Sequence, residues 1–105
     1  MYSRVLVVGH DEGKVDRITS RLEQDGYIAT ATMSDSTALD LARSAAFDAL
    51  VIGAEMPRSE RAHIIKQVRN INPYTIAVVV DAPASVLIQL RQAFKEMRVS
   101  IDKGN

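Results

Sequence analysis

The stretch Phe47–Glu60, FDALVIGAEMPRSE, decides how the chain is read. Its centre, Ala49–Ile52, is an unbroken apolar run, the pattern of a strand covered on both faces in a parallel sheet. The run arrives at Gly53, and a loop with one proline follows. Strands of this kind usually carry a chemically useful side chain to the loop where they end. Here the tip is a glycine, so the strand has lost its reagent.

Outward from this segment, strand-type and helix-type patterns alternate with short connections. Arg4–Val8 (RVLVV) is a second apolar run. Val15, Ile18 and Leu22 then recur at helical spacing, and Asp25–Gly26 ends that helix, with glycine free to take the left-handed conformation. Tyr27–Ala31 reads as a strand. Ser34, Asp35 and Ser36 offer capping oxygens for a helix through about Ala45, with Leu39 and Ala42 inward. A third helix is predicted over Ser59–Asn70, burying Ala62, Ile65 and Val68 and stopping before Asn72–Pro73. Thr75–Val80 is a fourth apolar strand. Ala84–Met97 gives a fourth helix with Leu87, Leu90, Phe94 and Met97 inward, and Val99–Ile101 a short fifth strand. Such alternation implies one α/β domain over 1–105, with a parallel sheet and helices on both faces. Ligands of such folds sit beyond the carboxyl ends of the strands. That confines chemistry to three loops: Gly9–Gly13, Gly53–Arg58 and Asp81–Ser85.

Composition removes several function classes. Thirteen basic residues balance thirteen acidic ones among 105, so no long-range field recruits nucleic acid or an anionic membrane. The absence of cysteine excludes disulfides, thiolate catalysis and thiolate metal sites. No run approaches the ~18 apolar residues of a membrane span, and no signal-peptide pattern opens the chain. A cytoplasmic location is the expectation. Gly9 and Gly13 make neither a dinucleotide fingerprint nor a P-loop. Met33, Met56 and Met97 read as core or loop filler.

At the three loops the chain resembles the receiver domains of two-component response regulators (CheY-like). VLVVGHDEG is similar to their first strand and acidic loop, SRLEQDGY to the end of their first helix, FDALVIGAEMP to their third strand and Met-Pro loop, and NPYTIAVVVDA to their fourth strand. The resemblance implies a flavodoxin-like three-layer α/β/α sandwich with parallel order 2-1-3-4(-5), the last helix missing. It also implies a bacterial signalling role without catalysis. The family's phosphoacceptor aspartate falls on Gly53, its two metal-holding acids on Gly9 and His10 with Asp11 next door, and its hydroxyl residue on Asp81. Its lysine, about 22 residues beyond, falls on Lys103, with Ser100 at the aromatic switch position and Arg61 in place of a loop glycine. Only Lys103 keeps the family's type.

The physical consequences are severe. An acyl phosphate needs a carboxylate nucleophile, which glycine lacks. Magnesium needs near-octahedral oxygen ligation, and Asp11 would be nearly alone in supplying it. Asp81 puts an acceptor-only anion where a neutral donor is required. The expectation is therefore a degenerate receiver (pseudo-receiver) that binds a protein partner and holds neither metal nor cofactor. Two alternatives stand beside it. One is a regulator with unorthodox phosphorylation or cation binding through Asp11, Glu55, Asp81 and Lys103. The other rests on GHDEGK, which is similar to the His-Asp-x-Gly of cobalamin-binding domains and would make His10 a cobalt ligand, although Val8 stands at that family's upstream aspartate. Otherwise His10 reads as a hydrogen-bonded loop residue, and His63 as an exposed helical one. Receivers usually recognise partners with helix four, strand five and helix five, which points to Gln89, Arg91, Gln92 and Lys95. Because the fifth helix is missing, either the chain continues in a longer protein or a neighbour covers the sheet, by dimerisation for instance.

Overall fold

The computed structural model describes residues 3–103, with 98–103 by backbone alone. Four strands, β1 (Arg4–Val8), β2 (Ile28–Thr32), β3 (Ala49–Gly53) and β4 (Ile76–Val80), alternate with four helices, α1 (Glu12–Gln24), α2 (Asp35–Ser44), α3 (Arg58–Ile71) and α4 (Val86–Lys103). The strands form one sheet in the order β2-β1-β3-β4, and all three pairings are parallel. Successive side chains of a strand point to opposite faces, so each apolar run feeds two cores. Val5, Val7, Val51 and Val80 face α1 and α4, where they meet Val15, Ile18, Leu22, Val86 and Leu90. Leu6, Val8, Leu50 and Ile52 face α2 and α3, where they meet Ala38, Ala42, Ile64 and Val68.

Local signals set the helix ends. The Asp11 carboxylate accepts from the Lys14 amide at 3.1 Å and caps α1. Ser34 does the same for α2 through the Thr37 amide at 3.3 Å. At the far end of α1 the Tyr27 amide reaches back to the Leu22 carbonyl at 3.0 Å. Gly26 makes that turn possible with φ of 94°, a region costly for a residue bearing a Cβ.

Two expectations are corrected. Val99–Ile101 form no strand; they lie within α4, which runs unbroken to Lys103. α3 buries Ile64 and Val68, leaves Ala62 exposed and only partly covers Ile65. Ile64 and Val68 join the core cluster that contains Val8 of β1 and Ile52 of β3, so the sheet side chains set which face of α3 turns inward. β4 is half-buried along most of its length, because it is the edge of the sheet among the described residues. Just before it, buried Thr75 donates its hydroxyl to the Phe47 carbonyl at 2.8 Å, which satisfies both groups.

At the opposite margin Tyr27 packs against the α1–α4 core. Burial pushes its phenol above the usual 10.0, the Asp25 carboxylate adds to the rise, and Arg91 opposes it. A proton held more tightly in the folded state stabilises that state below the unfolded pKa, and this contribution is lost as pH rises through the raised value. Phenol-ring NMR titration should place Tyr27 above 10.0. Tyr27→Phe should remove this part of the alkaline loss of stability.

Candidate functional site

The carboxyl ends of β1, β3 and β4 deliver Gly9, Gly53 and Val80 to one edge, and the loops beyond them carry the charged groups. Gly9 and Gly53 are both buried. The exposed side chain of Glu55, two residues past the end of β3, folds back against both of them. A Cβ built on Gly53 would lie 2.7 Å from Glu55 Cδ and closer still to both carboxylate oxygens. A Cβ on Gly9 would meet Glu55 Oε2 at 3.0 Å and Val15 Cγ2 at 2.8 Å. The carboxylate is anchored there, since Oε2 accepts the His10 backbone N–H at 2.8 Å. The tip of β3 lacks a side chain of its own, and a neighbour's carboxylate fills the place.

Around this anion the loops are ordered by charge. Asp11 turns its carboxylate to the amino end of α1, where the helix dipole favours it. Asp81 is exposed and lies 3.7 Å from the Lys14 ammonium, which joins the β4 loop to the first turn of α1. His10 Nε2 lies 3.2 Å from Asp35 Oδ1 and 3.8 Å from Glu60 Oε2. Those two carboxylates sit in the first turns of α2 and α3.

The structure thus gathers Gly9, His10, Asp11, Gly53, Glu55 and Asp81 at one edge. The Lys103 side chain lies outside the described residues, and its backbone closes α4. Glu96 and Met97 already line a groove with Thr75 and Ile76, at the amino end of β4. Six further helical residues, about 9 Å of rise, separate Met97 from Lys103. The positive group that does face Asp81 is Lys14, which sequence reading passed over together with Asp35 and Glu60. Only their places in first helical turns after strand ends hinted at them, and that signal is weak.

The expected partner face also changes. Gln89 is half-buried; its amide donates to the Val79 carbonyl at 2.8 Å and its oxygen accepts from Ser85 at 2.7 Å. Arg91 donates to both Asp25 oxygens at 2.9 Å. Arg91, Gln92 and Lys95 are exposed, and Ile88 joins them on the outer side of α4 with 67% of its surface exposed.

No protein-family model matches the chain, and no curated protein is similar to it. Solved structures share its fold. A CheY-like response regulator receiver domain from Methanospirillum hungatei JF-1 superposes with a TM-score of 0.81 at 15% identity, covering 95% of this chain and 99% of its own. The chemotaxis response regulator CheY4 of Vibrio cholerae gives 0.77 at 18%, covering 89% and 99%. The receiver domain of the hybrid histidine kinase CckA gives 0.68 at 16%, covering 86% and 97%. The fold is therefore the flavodoxin-like fold of CheY-like receiver domains.

Gly53→Ala should drive the Glu55 carboxylate, the far end of an exposed and flexible side chain, from its place and break its bond to the His10 amide, with a net change in stability within about 0.5 kcal/mol because that move is cheap and alanine is the better strand residue. In an E55A background no carboxylate has to move, so the same substitution should be more favourable than in the parent, as read by a double-mutant cycle in urea. Additive effects would show that Glu55 does not hold this place.

Proposed function

We propose that the chain is a receiver-like signalling module of a two-component-type pathway that works without aspartyl phosphate, by binding a protein partner. The observation that carries this reading is the Glu55 carboxylate seated over Gly53 and bonded to the His10 amide. A side chain at the strand tip is absent, and the space it would use already holds a fixed negative charge. An incoming phosphoryl group about 4 Å from that charge meets a repulsion of roughly 4 kcal/mol per unit charge at near-surface dielectric. The groups nearby do not offset it. Asp11 is spent on capping α1, Asp81 adds a further anion, and Lys14 is paired with Asp81.

One observation favours a second reading. A carboxylate held where a strand-tip side chain would project is itself a conceivable acceptor, so Glu55 could take a phosphoryl group in place of residue 53. The cobalamin-type alternative gains no such support, because His10 Nε2 engages Asp35 and Glu60. Intact mass after exposure to acetyl phosphate with Mg²⁺ separates the two phosphorylation readings. The unchanged chain mass is the expected result, and an adduct mapped to Glu55 would establish the second.

The partner surface on this reading is the outer side of α4, where Ile88, Gln92 and Lys95 follow one another at helical spacing. An exposed isoleucine flanked by polar residues has the composition of a small recognition patch. A second copy of the chain is one partner of the right chemistry. Light scattering should then give twice the chain mass, falling to a single chain mass in I88E. A wild-type monomer would assign the patch to a different protein.

A further inference from the structure

Three loops meet at His10. It leaves β1, while Asp35 opens α2 and Glu60 lies in the first turn of α3. One ligand atom from each lies within 4.8 Å of the other two. Two carboxylates, 3.2 and 3.8 Å away, converge on the same imidazole nitrogen, which can donate one proton at most. One ring N–H can satisfy only one of the two carboxylates, and a divalent cation seated between the three groups would engage both.

We propose that His10, Asp35 and Glu60 form a site for a divalent transition-metal ion of the zinc type, beside the crevice that Glu55 fills and using none of its carboxylate. Tetrahedral zinc, with nitrogen and oxygen ligands at about 2.0–2.2 Å, sets neighbouring ligand atoms about 3.3–3.6 Å apart. The two separations from His10 Nε2, 3.2 and 3.8 Å, bracket that spacing, and the two carboxylates lie within 4.8 Å of each other, so side-chain movement of about an ångström closes the site. An imidazole with two carboxylates suits zinc, cobalt or nickel; calcium and magnesium prefer oxygen alone. The side chains are 37–42% exposed, which leaves the remaining coordination position to water. The loop bearing the imidazole is anchored at its backbone by the His10 amide bond to Glu55 at 2.8 Å. A bound ion would clamp the first loop to the amino ends of α2 and α3 and stabilise the fold by mass action.

The site is tested with the tag-free full chain, by calorimetric titration with Zn²⁺ and by visible absorbance with Co²⁺ near pH 7. One ion per chain should bind, with a tetrahedral cobalt spectrum, and excess Mg²⁺ should not displace it. H10Q, D35N and E60Q should each weaken Zn²⁺ binding by about tenfold or more. H63Q, at an exposed position elsewhere on α3, should bind as the parent does. Circular dichroism confirms that each variant is folded. E60Q changes an exposed first-turn carboxylate and keeps the test valid if H10Q unfolds. Absence of saturable binding, unaltered affinity in E60Q, or displacement by Mg²⁺ would overturn the proposal. So would loss of binding in D11N or D81N with the three named variants unaffected. None of these results bears on the acetyl phosphate experiment, so the two proposals stand or fall separately.

Discussion

Every residue of β3 is buried, and this constraint organises the molecule. A strand hidden on both faces must be apolar on both, and it must have helices above and below. Parallel pairing with β1 and β4 then aligns the carboxyl ends of three strands and brings their loops together. The chain has little freedom in where polar chemistry can appear. It appears at that edge because backbone groups there leave the ladder and side chains can again reach water.

Within the edge, glycine and glutamate form a matched pair. Gly53 is compatible with its surroundings because Glu55 folds back over it, and Glu55 can fold back because residue 53 has no side chain. The same carboxylate crowds Gly9 and holds the His10 amide. Gly9, His10 and Gly53 are thereby tied into a self-contained arrangement. Its charge is supplied from inside the chain.

The fold was largely legible because double-sided burial writes itself as unbroken runs such as Val5–Val8 and Leu50–Ile52. Capping residues at Asp11 and Ser34 and the glycine at 26 mark helix ends chemically. The failures have equally physical causes. Val99–Ile101 carries two β-branched residues, yet it also continues the spacing of Leu90, Phe94 and Met97, and the helical period won. Ala62 and Ile65 stand at helical spacing from Val68 much as Ile64 does; the sheet beneath α3 chose between the two registers. Of the edge, the glycines at 9 and 53 and the acids at 11 and 81 were plain from the sequence. The occupant of the space over the glycines was not, because Glu55 reaches Gly53 and His10 through tertiary geometry. The same holds for Lys14 facing Asp81, for Asp35 and Glu60 facing His10, and for Gln89 turning inward.

Gln89 has a consequence for the open side of the sheet. Ile76 and Val80 direct their backbone groups towards the β3 side, so Val79, between them, turns its carbonyl the other way. The Gln89 amide meets that carbonyl and is itself latched by Ser85. Edge strands with unsatisfied backbone groups invite foreign strands to add on. A guest lengthening this sheet has to evict one glutamine first, which makes the opening turn of α4 a gatekeeper for strand addition.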